Sequence, residues 1–262
     1  MLMLETQDIL THVQISGPPS GPVLVFANSL GTDLRVWDAL MPFLPAGMRV
    51  IRYDMRGHGL SACPPAPYPM VELVGDLAAV LDALEVRSAV VVGLSIGGMV
   101  AQGLAAERPE LVRAMVLMDT AAKIGTEALW EDHIAAVRAG GIASIADGIL
   151  ERWFSARFRA EEVALTGWRH MLTRTPVEGY LGCSAAIAQT DLVESTARLR
   201  LPTLGICGSE DGSTPPDLVR ETTDLIPDSR FALIRGAGHL PCVEAPAEVA
   251  SHLLPFLDSL KT

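Results

Sequence analysis

The chain has 262 residues, 49 % hydrophobic and 19 % charged, the composition of a globular protein large enough to bury its own core without disulfides or metals. Its formal net charge of −11 argues against nucleic acid as a partner, because phosphate binding needs a basic face. No apolar run approaches the roughly 18 residues of a membrane span. The opening Met1-Leu2-Met3-Leu4 lacks basic residues and meets Glu5 at once, so neither a signal peptide nor membrane association is expected, and a cytoplasmic protein is.

In chain order, short β-branched runs alternate with longer helical patterns, which predicts a mostly parallel sheet covered by helices. Strands are expected at Ile9–Ser16 and Val23–Ala27, the second followed by the loop Asn28-Ser29-Leu30-Gly31-Thr32. Arg49–Asp54 is the next, running into Tyr53-Asp54-Met55-Arg56-Gly57-His58-Gly59-Leu60-Ser61. Pro69 suits the first turn of a helix in which Met70, Leu73, Val74, Leu77, Val80, Leu81 and Leu84 recur at helical spacing. The strand Ala89–Gly93 leads directly into a helix from Ser95 to about Glu107, and Ala114–Met118 ends at Asp119. From about 121 to 200 only helical patterning is found, which predicts a helical lid inserted into a core of residues 1–120 and 201–262, over the carboxyl ends of the strands. Thr203–Cys207 is then followed by Gly208-Ser209-Glu210-Asp211-Gly212, and Thr214-Pro215-Pro216 reads as a capped start for a helix ending near Ile226. The last strand, Arg230–Ile234, precedes Gly236-Ala237-Gly238-His239-Leu240-Pro241. Ala247 to Leu260 forms the final helix, where Pro255 is expected to kink or break it.

Gly93-Leu94-Ser95-Ile96-Gly97 fits G-x-S-x-G, and it lies between a strand and a helix, as a nucleophile elbow requires. The glycines permit the tight turn, and the helix start aims free amides at the reaction centre. Serine needs a base, and the base needs an orienting carboxylate, in the chain order Ser, acid, His. Of six histidines, His12 and His58 precede the serine, His133 and His170 fall in the insertion, and His252 lies within the last helix. His239, in a glycine-rich loop after the last strand, is the expected base. Asp211 is the expected acid, with Asp119 as its competitor. The oxyanion donors are the backbone amides of Ile96 and Leu30. Asn28 stands where this loop commonly has His, a departure that should not matter to a backbone donor. The four cysteines (Cys63, Cys183, Cys207, Cys242) have no metal-ligand spacing and are expected to be buried thiols; no metal or organic cofactor is expected.

With these residues placed, the sequence resembles the 3-oxoadipate enol-lactonases, a branch of the α/β-hydrolases, over nearly its full length. The elbow, the Tyr53–Ser61 segment and the Asp211 and His239 loops carry the likeness to the fold. Asn28–Asp33, Asp119–Gly125, Arg152-Trp153-Phe154-Ser155 and Glu178-Gly179-Tyr180 with Cys183 carry it to the branch. The resemblance implies hydrolysis of an anionic enol-lactone to 3-oxoadipate, without cofactor, with Ser29, Arg152 and Trp153 among the substrate contacts. Residues 121–200 hold nine Lys and Arg against ten Asp and Glu, so the insertion is near neutral on an acidic protein. Arg138, Arg152, Arg157, Arg159, Arg169 and Arg174 are candidates to receive the substrate carboxylate. A carboxylesterase, a haloperoxidase-like or carbon–carbon bond hydrolase, and a hydrolase-fold receptor share the same triad. The oligomeric state is open, a homodimer included.

Overall fold

Runs such as Val90-Val91-Val92 can be buried only if both faces of their sheet are covered, and the architecture does this. The computed structural model describes residues 1–260. Eight strands form one sheet: β1 (Leu2–Thr6), β2 (Ile9–Ser16), β3 (Val23–Ala27), β4 (Arg49–Tyr53), β5 (Ala89–Leu94), β6 (Val112–Met118), β7 (Thr203–Gly208) and β8 (Arg230–Ile234). Their spatial order is β1-β2-β4-β3-β5-β6-β7-β8; β2 is antiparallel to both neighbours and the remaining pairs are parallel. Every residue of β5 is buried, and each buried valine contributes about 1.5–3 kcal/mol of transfer free energy.

The helices α1 (Met70–Ala83), α2 (Ile96–Glu107), α9 (Pro216–Asp224), α10 (Pro241–Glu244) and α11 (Pro246–Ser259) accompany the sheet. Between β6 and β7 the chain is helical: α3 (Glu127–Gly140), α4 (Ala146–Trp153), α5 (Ala156–Arg159), α6 (Glu162–Thr173), α7 (Val177–Ala188) and α8 (Val193–Ala197). No helix among the described residues is long and apolar enough to cross a membrane.

Four local expectations change. The first strand, β1, pairs with β2 in a hairpin from Leu2 opposite Val13 to Thr6 opposite Ile9; it is a half-exposed edge whose apolar run is too short to announce itself. Helix α2 begins at Ile96 and not Ser95, because Ser95 holds a positive φ. Pro255 lies inside α11 without ending it; burial of Leu253, Phe256 and Leu257 offsets the one backbone hydrogen bond a proline removes. Cys183, Cys207 and Cys242 are buried, whereas Cys63 is exposed, and all four are free.

Candidate active site

Ser95 sits between the end of β5 and the start of α2 with φ 57° and ψ −121°, a backbone state that costs a non-glycine residue energy and must be held from outside. It is held at both ends. The Ser95 amide donates to Met118 O (3.0 Å), and its carbonyl accepts from Gly98 N (2.8 Å) and the Thr120 hydroxyl (2.6 Å). Gly97 is obligatory for a different reason: a Cβ there would run into the carbonyl oxygens of Ala27 and Asn28. Close packing thus places the head of α2 against the loop after β3.

Across the sheet, His239 and Asp211 meet. His239 Nδ1 lies 2.9 Å from Asp211 Oδ2 and 3.0 Å from Oδ1, and both residues are buried. Burial pushes the Asp211 carboxyl up, but the His239 ring, the Thr214 hydroxyl (2.7 Å) and the Ser213 amide (2.7 Å) together bring it below the usual carboxylate range. The Thr214 cap expected for α9 is therefore absent: that helix has Pro215 at its N-cap without a side-chain bond, and the threonine serves the acid instead. Glu210 faces solvent.

Asp119, the competitor, makes no hydrogen bond to His239. Its Oδ1 accepts the Gly208 amide (2.8 Å), and its Oδ2 is buried without a hydrogen-bond partner among the described residues. Burial, and then the charge of Asp211, push its carboxyl well above the usual range. Asp119, Asp211 and His239 could bring ligand atoms within 4.8 Å of one another, the closest approach to a metal cluster among the described residues. Nδ1 of the histidine is already engaged by Asp211, which is the geometry of a hydrogen-bonded dyad.

Ser95 and His239 line one cavity of about 470 Å³, with no hydrogen bond between them among the described residues. Such contacts are commonly long in a free enzyme and tighten when substrate excludes water. The amides of Leu30 and Ile96 have no protein partner among the described residues, so both are free to donate to a ligand oxygen. The Leu30 loop is fastened by a side chain that sequence reasoning set aside. Asn28 donates from Nδ2 to Tyr53 O (2.7 Å) and accepts from Trp37 Nε1 (2.8 Å). Asn28 thereby anchors the loop that carries the Leu30 amide, a structural part that the expectation for this residue did not include.

Ser29, Arg152 and Trp153 all line the cavity. Of the six arginines considered, only Arg152 does so; Arg159 and Arg169 pair with Glu151 and Asp147, and Arg138 and Arg174 line other clefts. No carboxylate partner is found for Arg152 among the described residues. Among the lining residues not anticipated as such are Trp130, His133 and Tyr180. His133 Nε2 lies 3.0 Å from the Tyr180 hydroxyl, and burial, with Arg152 nearby, pushes the imidazole down to about 4, so it is neutral in the working range. The spacing of Trp130 and His133 on one helical face was the available signal.

A second buckle also escaped sequence reading. Glu244 accepts from the Gly238 amide (2.8 Å), the Ser155 amide (3.1 Å) and the Ser155 hydroxyl, tying the His239 loop to the helical segment. The carbonyls of Arg152 and Trp153 accept from Gly212 and Leu240 (3.2 and 3.3 Å), so the Asp211 and His239 loops hang from the same four residues.

The alpha/beta hydrolase family matches residues 24–252. The chain is 34 % identical to 3-oxoadipate enol-lactonase 1 of Acinetobacter baylyi, over 100 % of this chain and 98 % of that protein. Among solved structures, the enol-lactonase from Burkholderia xenovorans LB400 superposes with a TM-score of 0.94 at 32 % identity, covering 98 % of this chain and all of that one. A thermophilic esterase from Thermogutta terrifontis, with malate bound, superposes at 0.91 with 28 % identity, covering 100 % and 99 %. Sheet order, strand–turn–helix serine and family match agree: the chain belongs to the alpha/beta hydrolase family.

Proposed function

We propose that the protein is a serine hydrolase that opens the lactone ring of 3-oxoadipate enol-lactone to give 3-oxoadipate. Ser95 Oγ attacks the lactone carbonyl while His239 Nε2 takes its proton, with Asp211 holding Nδ1 and stabilising the imidazolium. The Leu30 and Ile96 amides receive the oxyanion. The ring C–O bond then breaks; the departing enolate takes the proton and tautomerises to the ketone. Because this leaving group is stable, it demands little of the acid step. Water activated by His239 releases the acyl group as a carboxylate and restores Ser95.

The observation that carries the substrate class is Arg152, which lines the serine cavity with no carboxylate partner among the described residues, in a protein whose net charge is −11. A neutral ester has no use for it, whereas a lactone bearing a free carboxylate does. The enol-lactonases to which the chain is similar support the same choice. The test follows loss of enol-lactone absorbance with purified protein, beside an aryl ester control. Lactone turnover abolished by Ser95→Ala, with lactone binding retained, is the expected result. Good turnover of the ester with none of the lactone would replace this reading by a carboxylesterase, and absence of any turnover by a small-molecule receptor.

A further inference from the structure

The segment Tyr53–Ser61 takes no part in the chemistry above, yet one of its side chains reaches the oxyanion loop. His58 is 1 % exposed; its Nε2 lies 2.9 Å from the Gly31 amide nitrogen and its Nδ1 lies 3.2 Å from Arg56 O. An amide can only donate and a carbonyl can only accept. Both contacts are satisfied together by one state alone, the neutral ring with its proton on Nδ1 and its lone pair on Nε2. Burial favours that uncharged form.

Leu30 stands between two fixed peptide planes. The Ser29 carbonyl accepts from Thr32 N (3.2 Å) and the Thr32 hydroxyl (2.8 Å), and in a trans peptide the following N–H, that of Leu30, points the opposite way. The next plane, Leu30–Gly31, is held at its N–H by His58. Gly31 adopts φ 74° and has no side chain to resist rotation, so the histidine is what stops that peptide from turning. The ring's own seat is built by α7. Gly57 and Gly179 pack so closely that a Cβ on either would overlap the other's backbone, and Cys183 Sγ lies 4.0 Å from Nδ1.

We propose that His58 is a positioning residue for the oxyanion hole: as a neutral Nδ1–H imidazole it locks the Leu30–Gly31 peptide and, together with the Thr32 contacts that fix the Ser29–Leu30 plane, keeps the Leu30 amide aimed at the oxyanion formed on Ser95. This inference rests on the serine-hydrolase reading but not on the lactone, so p-nitrophenyl acetate serves as substrate. Asparagine at position 58 can still donate to Arg56 O but has no acceptor where Nε2 was, whereas glutamine carries an amide oxygen that far. His58→Asn is expected to lower kcat about 10- to 100-fold, less than the roughly 100- to 1000-fold seen when an oxyanion donor is removed outright, with KM changed less than about 2-fold. His58→Gln is expected to recover most of that loss. An arylboronic acid, which forms a tetrahedral adduct on serine, should lose affinity in His58→Asn by the factor that kcat/KM loses.

In the wild-type protein, nitrogen NMR of labelled histidine should show His58 as the Nδ1–H tautomer. Wild-type turnover in His58→Asn, a glutamine variant no better than the asparagine one, or an Nε2–H tautomer would each overturn the proposal. If His58→Asn fails to fold, the tautomer and the glutamine variant decide it. Ester turnover surviving in Ser95→Ala would remove the serine-hydrolase reading and this inference with it. An inactive Ser95→Ala beside a fully active His58→Asn removes the inference alone.

Discussion

Two carboxyl groups lie near His239, and their surroundings drive them apart. Asp211 has four donors on its oxygens and is held as the anion, whereas Asp119 has one donor, an orphaned oxygen and a negative neighbour. Burial and the Asp211 charge favour the protonated form of Asp119, which avoids a second buried charge beside the first. Asp211→Asn is therefore expected to lower kcat by about 10⁴-fold, the order found when a triad acid loses its charge. Asp119→Asn should leave kcat within about 3-fold, since an amide both accepts and donates at that position. Its effect on stability has a definite sign. With its folded-state value raised, Asp119 keeps a proton that the unfolded chain releases near pH 4, so the wild type loses stability as pH rises from there toward the raised value. The asparagine variant lacks that loss, and its melting temperature should exceed wild type by more at pH 8 than at pH 5.

At the scale of elements, the loops bearing Asp211 and His239 are short and follow different strands, so their relative position must be set from outside the sheet. Glu244, at the end of α10, does this by joining the Gly238 amide to Ser155 after α4. Removing it leaves two amides unpaired. Glu244→Ala is expected to cost about 2 kcal/mol of unfolding free energy, measured by denaturant titration, together with a drop in kcat. Glu244→Gln, which keeps an acceptor, should retain much of both. The contact between α7 and the Tyr53–Ser61 segment is of another kind, since it consists of missing side chains. Gly179→Ala should destabilise the protein, because the added methyl meets the Gly57 backbone and no flexible neighbour can yield.

For the whole molecule, the proposed function sets a net charge of −11, which opposes an anionic substrate at long range, against Arg152 on the cavity wall, which would attract it at short range. Arg152→Gln is expected to raise KM for the lactone about 10- to 100-fold, the worth of a charge-assisted hydrogen bond, and to leave KM for an uncharged aryl ester within about 2-fold. In that variant only the repulsive field remains, so added salt should lower KM for the lactone. Steady-state kinetics over a range of ionic strengths checks both statements.

Periodicity and turn chemistry are local properties, and they were sufficient for seven of the eight strands, for the turn at Ser95 and for the loops carrying Asp211 and His239. The short edge strand β1 escaped because its pairing, and not its own pattern, makes it a strand. What the tertiary structure alone decided was convergence. It brought one of six arginines, Arg152, to the cavity wall, turned Thr214 from a helix cap into a donor to Asp211, and gave the loop after β3 its hydrogen bonds from Asn28 and His58. Each of these rests on partners dozens of residues away or on the shape of a loop in space. A buried polar atom takes whichever partner the packing brings near, and no spacing along the chain records that choice.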